Sequence, residues 1–283
     1  MYEFQKNIGD MVEKAIAIGT KYVNDNKVKA LVMGMSGGID STLVAAMSDK
    51  IAKAADHAVE VVGYGLSIES KQSETARGMK AAEAFCSEYG LIDLTSTYKI
   101  VAREIMGLDY LSNDYDAKIR RGNLKARIRM LKLFDIARAK GGMVMSTDNL
   151  TELLLGFWTL HGDVGNYGLI QHFWKTEVYA AAKYLAQRNI LYMDKVRALN
   201  ACITAVPTDG LGITNSDFDQ ILPVHDKTMM PEDIYRMVDE MLMAHVYGIG
   251  KVSDKAKDVI NRYEMTHFKR NDPYSIPREL LIG

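Results

Sequence analysis

The segment from Met33 to Ser41 places the strongest constraint on what this chain can fold into. It follows an apolar run, Ala30–Val32, which predicts a strand, and it leads into Thr42–Ala46, which predicts a helix. The sequence Ser-Gly-Gly-Ile-Asp-Ser between them puts two glycines, two hydroxyls and one acid into six positions. Glycines let a backbone approach a ligand closely, and the free N–H groups and dipole of a helix start favour an anion. We therefore expect a phosphate-binding loop here rather than an ordinary turn of small residues.

The composition is that of an ordinary globular protein. The chain has 283 residues, of which 48% are hydrophobic and 25% charged, and its net charge of -1 disfavours a general nucleic-acid binder. The two cysteines, Cys86 and Cys202, form no C-x-x-C pair, so we expect neither a disulfide framework nor a zinc site. No signal-peptide pattern and no apolar run of about 18 residues occur, so we expect a cytoplasmic protein without a membrane span.

Predicted strands and helices alternate along the first half of the chain. The predicted strands are Lys29–Met35, Val59–Leu66, Leu91–Leu94 and Gly142–Ser146. The predicted helices are 1–25, Ser41–Asp56, Ser73–Tyr89 and 98–140, the last with a break near Asp109–Asp116. A further helix starts near 147–149, and the chain after residue 175 is mostly helical in this prediction.

This alternation predicts an α/β fold: a doubly wound, mostly parallel sheet with a helical C-terminal part. No repeat, low-complexity tract or linker divides the chain, so we expect residues 1–283 to form a single domain. Ligands of such sheets bind at the carboxyl ends of the strands, near the point where the strand order reverses. The loops after Met33 and Val144 are therefore expected to face the same crevice.

A basic segment at 121–129 has two interpretations. Its arginines and its lysine resemble a nucleic-acid patch, but the apolar residues around them recur at helical spacing, which favours an ordinary solvated helix face. The predicted apolar stripe consists of Ile119, Leu124, Ile128, Leu131 and Phe134.

The segment Met145–Glu152 also has two interpretations. Ser146 or Thr147 can serve as the N-cap of a helix, with a carboxylate completing a capping box. Alternatively, these side chains serve a ligand: Thr147 contacts a phosphate-bearing molecule and Glu152 binds a metal. Since Mg²⁺ bound to phosphates typically uses one or two protein carboxylates, Asp40 and Glu152 would make such a pair.

Several motifs that are weak individually occur in an informative order. After Ser-Gly-Gly-Ile-Asp-Ser come Gly-Asn-x-x-Ala-Arg-x-Arg, Ser-Thr-Asp-Asn-x-x-Glu, Gly-Asp-x-Gly, Lys-Thr, Pro-Thr and Lys-Arg. This series resembles the ammonia-dependent NAD synthetases, members of the N-type ATP pyrophosphatase superfamily, over roughly residues 8–273. The first motif is shared with other ATP pyrophosphatases, whereas the second and third are much more specific.

The resemblance implies a two-step reaction. The nicotinate carboxylate of deamido-NAD attacks the α-phosphate of ATP, pyrophosphate leaves, and ammonia then converts the acyl-adenylate into NAD and AMP. Mg²⁺ is the implied cofactor and ATP the co-substrate. Family members are homodimers, and the helical stretches around 100–135 and 176–200 are candidates for that surface.

The resemblance also implies roles for individual residues. Two are catalytic: Asp163 would accept a proton from ammonium, and Lys175 would counter charge on the phosphates. Asp40 and Glu152 would hold Mg²⁺. The residues implied to bind ATP are Gly34, Met35, Ser36, Gly37, Gly38, Ile39, Asp40, Ser41, Thr147, Lys175 and Thr208. The residues implied to bind deamido-NAD are Arg127, Asn166, His267, Phe268 and Lys269.

Some positions depart from the family pattern, mainly on the side of the dinucleotide acid. Leu160 stands where the family usually has a lysine, and Asn166 where a second aspartate is expected. The cover loop that usually follows Pro207-Thr208 is missing, and Phe268 splits the His-Lys-Arg triplet. The alternatives are an amide ligase for another carboxylate, a non-catalytic nucleotide-binding relative, and an RNA-modifying pyrophosphatase. For the last of these, the chain shows neither a catalytic cysteine pair nor a basic appendage.

Overall fold

The structure is a computed structural model that describes residues 7–189, 192–208, 216, 218–222, 228–251, 256–273 and 275–282. Its parallel sheet has the strand order β3-β2-β1-β4. The strands are β1 (Ala30–Gly34), β2 (Glu60–Ser67), β3 (Glu88–Asp93) and β4 (Met143–Val144). Val32 of β1 pairs with Val62 on one side and Val144 on the other. The predicted parallel α/β sheet is confirmed.

Twelve α-helices are described around this sheet. They are α1 (Ile8–Asn26), α2 (Ile39–Ala54), α3 (Gln72–Phe85), α4 (Thr95–Met106), α5 (Tyr115–Ala139), α6 (Leu150–Leu155), α7 (Lys175–Arg188), α8 (Met193–Ile203), α9 (Phe218–Ile221), α10 (Pro231–Tyr247), α11 (Lys257–Met265) and α12 (Glu279–Ile282). Short 3₁₀ helices occupy Gly107–Leu111 and His267–Asn271. The helical C-terminal part is confirmed, and none of the helices described here is long and apolar enough to cross a bilayer.

The sheet is covered on both faces. Leu31 and Met33 of β1 belong to the larger core, which helices α1, α2, α7 and α10 complete. The intervening Val32 belongs to a second core on the other face, where Leu133 of α5 packs. Because successive strand residues point to opposite faces, a strand buried on both sides is apolar throughout, as this one is.

The predicted apolar stripe of α5 is wrong at two positions. Leu124 and Ile128 are buried beside Tyr98 of α4, but Leu131 is 74% exposed and Phe134 41%. The first half of α5 packs on α4, whereas its second half packs on the sheet. The buried face therefore shifts around the helix, which one fixed periodic stripe does not describe.

The crevice of the fold lies where the strand order reverses. From β1 the chain proceeds through α2 to β2 on one side, while β4 pairs with the opposite side of β1. The loops that follow β1 and β4 open into a cavity of about 300 Å³, lined by Ser36 from the first and Thr147 from the second. This confirms the prediction that both loops face one crevice.

Candidate active site

The glycine-rich loop lies tightly against helix α3. Gly37 has φ +83°, in the left-handed region that glycine tolerates, and a Cβ there would lie 2.3 Å from the carbonyl oxygen of Glu74. A Cβ on Gly78 of α3 would in turn lie 2.4 Å from the carbonyl oxygen of Met35. Arg77 also donates a hydrogen bond from Nε to the Gly37 carbonyl at 2.5 Å. The conformation of the loop is thus fixed from behind by the backbone of α3.

The front of this loop faces the cavity. Helix α2 begins at Ile39 behind the N-cap Gly38, which has no side chain to cap the helix. The Gly38 N–H donates to Ser36 Oγ at 3.2 Å, and Ser36 Oγ lies 3.1 Å from Ser41 Oγ. We call the cavity of about 300 Å³ the first cavity. The residues of this segment that line it are Gly34, Met35, Ser36, Gly38, Ile39 and Asp40. An uncapped helix start flanked by two hydroxyls is suited to a phosphate group.

Lys175 joins two carboxylates at the centre of the site. Its ammonium Nζ lies 2.6 Å from Asp40 Oδ2 and 2.8 Å from Glu152 Oε1, and its side chain is only 3% exposed. Burial opposes the charge on Lys175, but the carboxylates of Asp40 and Glu152 raise its pKa well above the usual value. The three residues come from the starts of three helices, α2, α6 and α7, so the fold brings together positions far apart in the chain.

Asn149 organises the two carboxylates. It is the N-cap of α6: its Oδ1 accepts the Glu152 N–H at 3.1 Å, and a Glu152 carboxylate oxygen accepts the Asn149 N–H at 3.4 Å. The predicted capping box is present, but neither Ser146 nor Thr147 is the N-cap. Asn149 Nδ2 also donates to Asp40 Oδ1 at 2.9 Å, which orients the carboxylate. The sequence signal for this role was a good N-cap residue three positions before a glutamate.

The two carboxylates fit a divalent cation. The Lys175 ammonium already lies between them, less than 3 Å from an oxygen of each carboxylate. Within the described ranges, no cluster of three or more histidine, cysteine or acidic side chains forms a complete metal cage. Two carboxylates are the set that Mg²⁺ uses when phosphates and water complete its shell. The donor set therefore fits Mg²⁺ bound together with a nucleotide.

A second cavity of about 370 Å³ adjoins the first. The two cavities share the residues Ser36, Asp40, Thr147, Glu152, Asp163 and Thr208. The second cavity is also lined by Ser41, Tyr115, Ile119, Asn123, Phe157, Trp158, Arg262 and Lys269. Lys269 donates from Nζ to the Gly156 carbonyl at 2.6 Å, and burial lowers its pKa. Two ligands in these cavities would meet at the shared carboxylates.

Asp163 lies on that shared wall. The Thr159 N–H donates to its Oδ1 at 2.7 Å, and burial raises the pKa of Asp163 to about 6. Burial, reinforced by the charge of Asp163, raises the pKa of the neighbouring Asp148 to about 7. Asp148 accepts a hydrogen bond from Ser146 Oγ at 2.8 Å and was not singled out from the sequence. Carboxyl groups with pKa values near neutrality are suited to proton transfer.

Comparison with known proteins identifies this architecture. Residues 11–273 match the family model described as NAD synthase. The chain belongs to the NAD synthase family. It is 33% identical over 207 residues to an NH(3)-dependent NAD(+) synthetase of Methanococcoides burtonii, covering 72% of this chain and 74% of the relative. The synthetase of the same name from Pseudomonas aeruginosa is 25% identical, with 96% of this chain and 93% of the relative covered.

Solved structures support the same fold. NMN synthetase from Francisella tularensis superposes with a TM-score of 0.74 at 20% identity, covering 97% of this chain and 99% of that chain. NAD+ synthetase from Burkholderia pseudomallei superposes with a TM-score of 0.67 at 21% identity, covering 96% and 93%. The NAD synthase fold therefore extends over nearly the whole chain.

Not every residue that the NAD synthase resemblance implies lines a cavity in this structure. Arg127 is exposed and donates from Nε to the Leu160 carbonyl at 3.2 Å. Asn166 accepts the Val144 N–H at 3.0 Å and so extends the end of β4. His267 and Phe268 are also exposed. Of the residues implied to bind deamido-NAD, Lys269 alone lines either of the two cavities described above.

The segment after α8 is only partly described. Thr208 lines both cavities and donates from Oγ1 to Glu74 Oε1 at 3.0 Å, which ties this segment to α3. Residues 209–215, where the family's cover loop is missing, lie outside the described residues. The residues predicted to bind ATP are thus gathered around the first cavity, with two exceptions. Gly37 is on the side of the loop that packs against α3, and Ser41 lines the second cavity.

Proposed function

We propose that this protein uses ATP and ammonia to convert deamido-NAD into NAD through an acyl-adenylate. The observation that carries the proposal is the shared wall of the two cavities. ATP would occupy the cavity beside the phosphate loop, and the acid would occupy the cavity lined by Lys269 and Arg262. A reaction that joins two anionic substrates needs them held side by side with cations between them.

On the ATP side, each contact has a physical reason. The start of α2 and the hydroxyls of Ser36 and Ser41 would hold the phosphates that leave as pyrophosphate. Thr147 and Thr208 would contact the rest of the nucleotide. Lys175 would balance charge on the phosphates once they arrive. Asp40 and Glu152 would hold Mg²⁺, which supplies charge neutralisation at the phosphate oxygens.

The acid has to be activated because a free carboxylate would have to expel an oxide ion. A carboxylate oxygen of the acid therefore bonds to the α-phosphorus, and the bond from phosphorus to the pyrophosphate oxygen breaks. The nitrogen of ammonia next bonds to the acyl carbon and releases one proton to water, and the bond between the acyl carbon and the AMP oxygen breaks, with its electron pair leaving on AMP. Asp163 would first take a proton from ammonium, since only neutral ammonia carries a lone pair for attack.

The decisive experiment incubates the purified protein with Mg-ATP, ammonium and deamido-NAD, and follows the products by chromatography. We expect NAD, AMP and pyrophosphate in equal amounts. Asp40→Asn should abolish AMP formation, because the change removes charge from both the cation site and the Lys175 pair. ATP binding without AMP formation in the wild-type protein would refute the proposed reaction.

A different acid is the second candidate, and the departures on the acid side favour it. Leu160 removes a positive charge that the family usually has there, and the side chain of Asn166 is engaged with the backbone of β4. One structural neighbour is named NMN synthetase, and NMN is the mononucleotide half of NAD. A comparison of kcat/KM for nicotinate mononucleotide and deamido-NAD decides between the two acids. A ratio of about 10 or more in favour of either acid corresponds to at least about 1.4 kcal/mol of transition-state discrimination.

We also propose a homodimer. The stretch around 100–135 carries exposed apolar side chains, among them Leu108 at 87% and Leu111 at 74% exposure. Exposed apolar side chains gathered in one region are typical of protein–protein contacts. Tyr115, the first residue of α5, is 59% exposed and lines the second cavity, so a partner there would lie beside the acid.

A further inference from the structure

Three helices meet behind Lys175 at a buried acid. Asp239 of α10 is completely buried. Its Oδ1 accepts a hydrogen bond from Thr151 Oγ1 at 2.5 Å, and its Oδ2 accepts from Thr176 Oγ1 at 2.6 Å and from the Thr176 N–H at 2.9 Å. Thr151 belongs to α6 and Thr176 to α7. One carboxylate thus ties together the helices that carry Glu152 and Lys175.

The connection continues to Lys175 itself. Thr151 Oγ1 donates to Asp239 and accepts the backbone N–H of Lys175 at 2.8 Å. The hydroxyl has a single proton, so the acceptor on Asp239 sets the direction of this hydrogen-bond chain. Tyr235, one turn earlier on α10, places its ring 5.3 Å from the Lys175 ammonium, within the range of a cation–π contact. Helix α10 therefore supports both the backbone and the side chain of Lys175.

A buried carboxylate is an unusual choice for a tie between helices. Among the described residues, Asp239 is held by hydrogen bonds from Thr151 and Thr176, and no lysine, arginine or histidine forms an ion pair with it. The hydrogen bonds from Thr151 and Thr176, at the positive end of α7, compensate for burial only in part, since burial still raises the pKa of Asp239 to about 6. Burying a charge costs stability, and an apolar contact would join the helices at lower cost. The carboxylate, unlike an apolar contact, accepts three directional hydrogen bonds, and these fix the first turn of α7 relative to α6.

We propose that Asp239 is a positioning residue, which holds the Lys175 ammonium and the Glu152 carboxylate in the relative placement that Mg-ATP requires. The identity of this ligand rests on the proposed function. Asparagine at this position would keep the size of the side chain but replace one acceptor oxygen by an NH₂ group, which only donates. Either Thr151 or Thr176 would then lose its acceptor, and the start of α7 would be free to shift relative to Glu152.

The test is a double-mutant cycle. Asp239→Asn, Thr151→Val and the double variant are compared with the wild type in two measurements: the Kd of Mg-ATP by calorimetry and kcat for NAD formation. We expect each single variant to lose about 10- to 100-fold in kcat, the usual effect of losing a residue that orients a metal-site ligand. Because both act through one hydrogen-bond chain, the double variant should lose little more than either single variant. Mg-ATP binding should weaken in the same non-additive pattern.

Two controls separate positioning from folding. Val238→Ala removes buried contacts next to Asp239 on α10 and should lower the thermal midpoint without changing kcat or Kd well below that midpoint. Thr151→Ser keeps the hydroxyl and should retain kcat within about threefold, and it decides the question together with Thr151→Val if Asp239→Asn fails to fold. Wild-type values in Asp239→Asn, or losses that multiply in the double variant, would overturn the proposal. If the wild type binds Mg-ATP but makes no NAD, the proposed function fails, and the Kd values alone decide the role of Asp239.

Discussion

At the scale of single residues, Asp163 allows the two chemical steps to be separated. Asp163→Asn keeps an acceptor for the Thr159 N–H, so the local structure should persist. The variant cannot take a proton from ammonium, so we expect amide formation to slow by about 10²- to 10⁴-fold, and adenylate formation much less. Rapid-quench measurements of pyrophosphate release and NAD formation give the two rates. An equal loss in both steps would show that Asp163 has a different role.

The same carboxylate predicts a dependence of stability on pH. Burial raises the pKa of Asp163 to about 6, above the value of about 3.9 expected in the unfolded chain. The stabilisation from its protonated form is fully present below pH 3.9 and is lost as the pH rises through 6. Asp163→Asn removes this loss, so the variant should exceed the wild type in unfolding free energy by about 3 kcal/mol at pH 7.5, and by little at pH 4. Urea unfolding at both pH values tests this prediction.

The exposed Asp135 provides the matched control. Its side chain is 71% exposed beside Lys132, so Asp135→Asn should change the unfolding free energy by no more than a few tenths of a kcal/mol at either pH. If Asp163→Asn raised the unfolding free energy equally at both pH values, the cause would be packing and not the charge of Asp163. A buried carboxylate that lowers the stability of the fold is expected in an active site, where it takes part in the reaction.

At the scale of elements, the sequence predicts best where the local chemistry is self-contained. The loop between β1 and α2 was predicted because glycine, hydroxyl and acid signals fall within a few residues. Strand β3 begins at Glu88, earlier than predicted, because at this sheet edge Tyr89 and Leu91 are 46% and 53% exposed and alternate with half-buried neighbours. Asp239 had no local signal, since the two residues that donate its three hydrogen bonds lie on α6 and α7, far away in the chain.

Helix α3 supplies a prediction at this scale. Alanine in place of a helical glycine usually stabilises a protein by about 1 kcal/mol. At Gly78, however, the added Cβ would lie 2.4 Å from the Met35 carbonyl oxygen, which is backbone. Gly78→Ala should therefore push α3 away from the phosphate loop and weaken Mg-ATP binding by about 10- to 100-fold. Lys80→Ala, at an exposed position of the same helix, is the control and should bind Mg-ATP normally. Normal binding by Gly78→Ala would mean that the loop does not depend on its packing against α3.

At the scale of the whole molecule, the proposed dimer joins the fold to the second cavity. Leu108 and Leu111 lie in the 3₁₀ helix between α4 and α5, and Tyr115 at the start of α5 lines that cavity. If this surface forms the dimer, loss of the dimer should weaken binding of the acid more than binding of ATP, because Tyr115 lines the second cavity, whereas none of Leu108, Leu111 and Tyr115 lines the first.

The corresponding experiment replaces both leucines by glutamate. We expect light scattering to give twice the mass of one chain for the wild type and a single mass for Leu108→Glu/Leu111→Glu, because charges at the centre of an apolar interface are costly to bury. The KM for the acid should rise about 10-fold or more, while the Kd of Mg-ATP should stay within about threefold. Ile18→Glu on α1, where the side chain is 65% exposed, should remain dimeric. A double variant that stays dimeric would move the interface to the other candidate stretch, 176–200, where Met193 is 52% exposed.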